Sequence, residues 1–316
     1  MTDTYFLTGY KGAEIYIKRE DLQPFSFGGN KLRIAECLFG DILGSGCDAV
    51  ISYGSAESNL NRVIAHMARR KGVKCYVIIK KDPEENGFMP FNEQMVRASG
   101  AEIFECSGSN VREKVEEVMA LSEDRGENWY YVYGSSSGTG NEYMLIRGSL
   151  FIFDEILAYE KTNSIFFDHI FHASGTGATQ SGLIAGSIMS GDYGRREICG
   201  ISTARSNERG KASIKALLKD FSRGRLPYVP EDDDISFTDA YVSEGYGRSS
   251  AEIDALIDDM MKQYAIPLDP VYTAKAYYGM LREIDRRGIK GKVLFIHTGG
   301  TPLYFDYLRK RAAADE

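Results

Sequence analysis

The chain has 316 residues, 43% hydrophobic and 26% charged, which is the make-up of a soluble globular protein with room for two domains or one large one. A formal net charge of −7 argues against a broad nucleic-acid surface, which needs clustered Lys and Arg. No apolar run approaches the roughly 20 residues of a membrane span, and Met1 to Tyr5 shows no basic stretch leading into an apolar one, so no secretory signal is expected. Cys37, Cys47, Cys75, Cys106 and Cys199 are scattered and form no CxxC pair. That pattern fits free thiols in a reducing compartment, and a cytoplasmic location is expected.

Helical and strand signals alternate along the chain, the pattern of an α/β protein with a largely parallel sheet. Leu32, Ala35, Leu38, Phe39 and Ile42 recur at helical spacing and put Lys31 at the start of a helix that Gly44 and Gly46 stop. Residues 49–53 read as a buried strand and 54–59 as a polar turn. The next helix carries Leu60, Val63, Ile64, Met67 and Ala68 on one face. Further strands are expected over 75–79, 101–106, 130–133, 170–173, 198–202 and 293–297. Residues 223–234, with Pro227, Pro230 and three consecutive aspartates, read as an exposed loop. Four of the strands fall within about 42–147, and the ends of that stretch pass through ordinary helices. A small domain over 42–147, inserted into a large one over 1–41 and 148–316, is therefore expected.

Four groups of residues carry chemistry. Ser174-Gly175-Thr176-Gly177-Ala178-Thr179 follows a strand and opens a helix, where free N–H groups and the helix dipole favour an anion. The spacing is neither GxGxxG nor a Walker loop, so it reads as a phosphate cup without a nucleotide signature, or as a tight strand-to-helix turn. Gly28-Gly29-Asn30-Lys31 puts a lysine at a helix start, where the macrodipole repels a cation. A neutral amine or imine tolerates that position better, as a Schiff-base lysine requires, although a solvated lysine would also fit. Ser58 and Asn59 stand where they either donate to a ligand or cap the helix after them. Tyr246, between Gly245 and Gly247, and Tyr272, in Asp269-Pro270-Val271-Tyr272-Thr273, complete the set.

The four histidines form no ligand set. His169 and His172 are three apart on an expected strand and so face opposite sides of it. There is no GxSxG elbow for a Ser-His-Asp hydrolase. No metal is expected.

Taken in order, IYIKREDLQPFSFGGNKLR, SAESNLNR, HASGTGATQSGL, LDPVYTAKA and LFIHTGGTP resemble the D-cysteine desulfhydrase / 1-aminocyclopropane-1-carboxylate deaminase family. This is a branch of the tryptophan-synthase-β-like, fold type II pyridoxal-phosphate enzymes. The resemblance runs from about Ile15 to Tyr304. It implies a parallel-sheet large domain with an inserted smaller α/β domain, pyridoxal 5'-phosphate as cofactor, and a homodimer. Lys31 matches the lysine that holds the cofactor as a Schiff base, and Asn59 the residue bonding its ring hydroxyl. Ser58 matches a serine beside the substrate, Gly175, Thr176, Gly177, Ala178 and Thr179 the phosphate cup, and Tyr246 and Tyr272 two active-site tyrosines. Thr273 matches the group facing the pyridine nitrogen.

At position 273 the deaminase branch has glutamate and the desulfhydrase branch threonine. A carboxylate keeps the ring nitrogen protonated, whereas threonine can bond a neutral nitrogen and gives a weaker electron sink. That sink suffices for β-elimination, where a leaving group departs from the neighbouring carbon. The expected function is thus a lyase acting on a small β-substituted amino acid, D-cysteine first, giving pyruvate, ammonia and sulfide. The alternatives are the cyclopropane deaminase, a lyase for another substrate such as cysteate, and a non-catalytic cofactor-binding homologue. Leu60 stands where many relatives carry histidine or glutamine, and 134–140 differ from the family's loop, both on the expected substrate side.

Overall fold

The computed structural model describes residues 1–81, 88–242 and 249–314. The strands are β1 (Thr4–Tyr10), β2 (Ala13–Arg19), β3 (Ala49–Ser55), β4 (Lys74–Lys80), β5 (Glu102–Cys106), β6 (Trp129–Tyr131), β7 (His169–Ser174), β8 (Glu197–Ser202), β9 (Phe237–Thr238) and β10 (Gly291–His297). The helices are α1 (Lys31–Gly44), α2 (Asn59–Lys71), α3 (Phe91–Ala98), α4 (Val111–Asp124), α5 (Glu142–Asn163), α6 (Ala178–Ser190), α7 (Asn207–Ser222), α8 (Ala251–Tyr264), α9 (Thr273–Arg287) and α10 (Thr301–Ala314). No described helix is long and apolar enough to cross a membrane.

Two units hold these elements. The first comprises Met1–Asn30 and Ile146–Arg311, the second Lys31–Leu145 with the chain end from Ala312. The division falls just before α1, where the sequence suggested a boundary near the end of that helix.

The first unit is built on a six-stranded sheet in the order β1-β2-β10-β7-β8-β9. Every neighbouring pair is parallel except β1 with β2. A parallel sheet covered on both faces needs continuous apolar runs, and β10 supplies one in Val293, Leu294, Phe295 and Ile296, all fully buried. Ile15, Ile17, Phe171 and Ile201 pack with Phe295, and Ile257 of α8 and Met280 of α9 complete that core.

Three strands were not anticipated: β1, β2 and the two-residue β9. Strand β2 ends in Lys18 and Arg19, two cations that are buried and paired. Lys18 Nζ lies 2.6 Å from Glu155, and Arg19 forks onto Asp21 at 2.8 and 2.6 Å. On β7, His172 is fully buried while His169 is partly exposed and meets Glu197 at 2.8 Å.

The second unit has a four-stranded, wholly parallel sheet in the order β5-β4-β3-β6. The stripe of Leu60, Val63, Ile64, Met67 and Ala68 on α2 is buried, as its spacing predicts. That helix ends at Gly72, whose left-handed φ of 72° permits the turn.

Candidate active site

In the first unit β7 ends at Ser174, and the chain turns through Gly175-Thr176-Gly177 into α6. Gly177 is the N-cap, with φ at 92°, and no side chain caps the helix. The first-turn N–H groups of α6 are therefore left without a side-chain acceptor, an arrangement suited to an anion. A Cβ on Gly177 would stand 3.0 Å from Ile214 Cγ1, so shape and φ both require glycine. The hydroxyls of Ser174 and Thr203 are buried beside this turn without hydrogen-bond partners among the described residues. Thr203 Oγ1 is 3.3 Å from where a Gly175 Cβ would be. On another side, Arg205 and the Ser213 hydroxyl donate to the Thr176 carbonyl at 3.2 and 3.0 Å.

The segment before Lys31 is strongly constrained. Ser26, Phe27, Gly28 and Gly29 are all left-handed, with φ of 54°, 59°, 71° and 102°. A Cβ on Gly28 would fall 1.8 Å from the Asp21 carbonyl oxygen, and one on Gly299 would fall 2.5 Å from Gly29 Cα. Backbone thus packs on backbone, and Asn30 N–H donates to Thr298 O at 3.0 Å. Asn30 Nδ2 then donates to Thr179 Oγ1 at 2.9 Å, tying the segment to the first turn of α6. Lys31 follows as the first residue of α1. Burial of its amine lowers the pKa to about 8, so a sizeable neutral fraction exists near neutrality.

Asp269 organises the start of α9. Its carboxylate accepts from the amides of Val271, Tyr272 and Thr273 at 3.0, 2.7 and 3.1 Å, and from Thr273 Oγ1 at 2.6 Å. It is fully buried, and that burial raises its pKa while the donors to it oppose the rise. Gly300 packs against it so closely that a Cβ would come within 2.3 Å of Oδ2. His297, at the end of β10, is also fully buried; its Nε2 donates to Pro267 O at 2.8 Å and its Nδ1 accepts from Gly299 N–H at 3.3 Å. Tyr272 occupies the N-cap position of α9. On the same helix Lys275 is buried, which lowers its pKa to about 8 against the attraction of Asp269; its Nζ donates to Val242 O at 2.9 Å.

The cup, Asn30, residues 297–300 and Asp269–Thr273 are thus joined by direct contacts within the first unit. Ser58 and Asn59 belong to the second. Ser58 caps α2, its Oγ accepting from Asn61 N–H at 3.2 Å, and a Cβ on Gly54 would lie 2.8 Å from that Oγ. Asn59 Oδ1 accepts from Arg62 at 3.2 Å and from Asn92 Nδ2 at 3.1 Å. Its carbonyl end is therefore engaged, and the amide nitrogen is the end left to donate. Leu60 is buried at 8% exposure in the α2 stripe. The loop over 134–140 closes on itself, with Ser135 N–H donating to Thr139 O at 2.7 Å. Tyr246 lies outside the described residues.

Sequence reading did not single out Asn30, Thr203, Asp269 or the Gly299-Gly300 pair. Asp269 had a signal, an aspartate four residues before a helix-starting threonine. The partner of Asn30 is 149 residues away in the chain and leaves no local signal.

The family described as pyridoxal-phosphate dependent enzyme matches residues 3–299. A D-cysteine desulfhydrase of Yersinia enterocolitica is 29% identical over 307 residues, which cover 95% of this chain and 91% of the relative. A Pyrococcus abyssi protein named provisionally as a 1-aminocyclopropane-1-carboxylate deaminase is 32% identical over 301 residues, 94% of this chain and 87% of that one. A solved structure described as an ACC deaminase homologue superposes with a TM-score of 0.82 at 28% identity, covering 99% of this chain and 93% of its own.

Proposed function

The chain belongs to the pyridoxal-phosphate dependent enzyme family, and on that premise we propose that it is a lyase eliminating the β-substituent of a small amino acid, D-cysteine first. The observation that carries the reading is the uncapped α6 N-terminus tied through Asn30 to the residue before a lysine of lowered pKa. The residues fit the cofactor: the left-handed Gly177, the open amides of α6 and the unpartnered Ser174 and Thr203 hydroxyls suit a phosphate.

In this reading the amides of Gly175, Thr176, Gly177, Ala178 and Thr179 would hold the phosphate, and Lys31 would hold the aldehyde carbon covalently. Asn59 Nδ2 would donate to the ring oxygen, and Thr273 would meet the ring nitrogen. The cofactor, when bound, supplies a sink for negative charge developing at the carbon that bears the amino group. Ser58 orients the substrate carboxylate. Lys31 would take the Cα proton, for which a pKa of about 8 is well matched near neutral pH. Tyr272 and Tyr246 would serve as proton donors to the leaving sulfur.

The sequence suggests a large domain, 1–41 and 148–316, with lysine and phosphate functions and an inserted one, 42–147, with the Ser58–Asn59 turn; in the structure the cup lies in the first unit, whereas Lys31 opens the second, which also holds Ser58 and Asn59. A homodimer and a cytoplasmic location complete the proposal. All five cysteines are free thiols, which supports the reducing compartment, and light scattering would test the homodimer.

A second reading, opening of 1-aminocyclopropane-1-carboxylate, is favoured by the resemblance to the Pyrococcus protein. Product analysis separates the two. D-cysteine and water should give pyruvate, ammonia and sulfide, whereas the cyclopropane would give 2-oxobutanoate and ammonia. Lys31→Ala should lower turnover at least 10³-fold, as loss of the attaching and proton-moving group predicts; residual turnover within tenfold of the parent would remove Lys31 from the mechanism.

A further inference from the structure

Thr273 is the residue for which the sequence suggests a bond to a neutral ring nitrogen, and its surroundings restrict what that bond can be. A hydroxyl has one proton to donate and two lone pairs to accept with. Thr273 Oγ1 lies 2.8 Å from the backbone nitrogen of Asp269 and 2.6 Å from Asp269 Oδ2. The backbone N–H can only donate, so it takes one lone pair. The carboxylate already accepts from the amides of Val271, Tyr272 and Thr273, as an ionised group does. The hydroxyl proton therefore goes to Oδ2. One lone pair remains, and with it Thr273 can accept a further hydrogen bond but cannot donate one.

A pyridine nitrogen offers such a bond only when it carries a proton. We propose that Asp269, acting through the Thr273 hydroxyl, holds the ring nitrogen of the bound cofactor in its protonated form. The proposal rests on the reading that Thr273 faces that nitrogen. Reversing the hydroxyl would break a charge-assisted bond to a fully buried carboxylate, the stronger kind of hydrogen bond. Gly300 closes the approach to Oδ2 on its side, since even a methyl group there would collide with it. Asp269 is thus a positioning residue, one hydroxyl removed from the cofactor. The consequence runs against the ranking drawn from Thr273 alone. A protonated ring is the stronger electron sink, so this threonine does the work expected of a carboxylate in the same place. It no longer counts against the opening of a cyclopropane.

The test is the ¹⁵N resonance of holoenzyme loaded with pyridoxal phosphate labelled at the ring nitrogen. The parent should resonate upfield, at the position of a pyridinium N–H, and a downfield neutral-pyridine signal would overturn the proposal. In Asp269→Asn the amide oxygen should face the Val271 and Tyr272 amides, leaving Nδ2 to donate to Thr273. The hydroxyl proton is then freed toward the ring, and the signal should move downfield. Thr273→Val removes the hydroxyl and should move it downfield as well. If Thr273→Val shifts the signal and a folded Asp269→Asn does not, Asp269 has no part and the proposal falls while the placement of Thr273 stands. If Thr273→Val leaves the signal unmoved, the placement itself fails, and the proposal with it. Should Asp269→Asn not fold, Asp269→Glu serves in its place: a longer carboxylate that no longer holds the Thr273 proton should move the signal downfield, and an unmoved signal overturns the proposal.

Discussion

Two strand-to-helix turns in this molecule look alike in sequence and are finished differently. Both follow a parallel strand, β7 in one unit and β3 in the other, and both are rich in small polar residues. At the second, Ser58 satisfies a first-turn amide of α2 with its own hydroxyl. At the first, a left-handed glycine stands in the capping position with no side-chain cap, and two buried hydroxyls alongside lack hydrogen-bond partners among the described residues. One helix end is closed by the chain; the other is left for something else to close. A cap costs about 1 kcal/mol to lose, and in the proposed reading the phosphate of the cofactor makes up that loss at α6.

This contrast can be pressed experimentally. The largest expected effect concerns the lysine after the segment tied to the open turn. Its folded pKa of about 8 lies below the ordinary value of 10.5, so the neutral, nucleophilic amine grows tenfold per pH unit up to about 8 and then levels. Capture of pyridoxal phosphate by cofactor-free protein should accelerate about 50-fold between pH 6 and 8 and only about twofold beyond; a rise continuing to pH 10 would mark an ordinary lysine. By the same sign, protonation of this amine opposes folding, so stability rises with pH between about 8 and 10.5.

Gly177→Ala comes next. The added methyl meets Ile214 in a backbone conformation unfavourable for alanine, at roughly 2 kcal/mol. Cofactor affinity should fall by about 10- to 30-fold in an equilibrium titration. An unchanged dissociation constant would mean that the open turn does not hold the phosphate.

The smallest effect belongs to the closed turn. Ser58→Ala should cost about 1 kcal/mol in denaturant unfolding, and Ser58→Gly less. Cofactor affinity should stay within about threefold of the parent, because this helix end holds its own cap. A tenfold loss would erase the distinction between the two turns.

Sequence pattern served well where burial is continuous. The seven strands it suggested all pair in parallel within the two sheets, although β2 and β9 also do so and were missed. Strand β1 is an antiparallel edge with no fully buried residue, and β2 ends in two cations, so neither offers a clean pattern. The helix starts at Lys31 and at Ala178 were legible because glycine stands shortly before each. What joins them was not. Gly299 lies against Gly29 because only glycine lets two backbones approach so closely, and Asn30 reaches Thr179 across most of the chain. Thr273 was read by type alone, and its proton is spoken for by Asp269, which a list of residues cannot reveal.

The strand order has a consequence for synthesis. The second unit's sheet draws all its strands from one continuous stretch, Ala49 to Tyr131. The first unit's sheet has β10, the last of its strands in chain order, lodged between β2 and β7. Until β10 leaves the ribosome, β2 and β7 have no partner on their facing edges, and the residues that pin Gly29 and Asn30 do not yet exist. The nascent chain therefore carries the open edge of β2 through most of its elongation, and that of β7 from the time it is made, the kind of exposed backbone that invites mispairing.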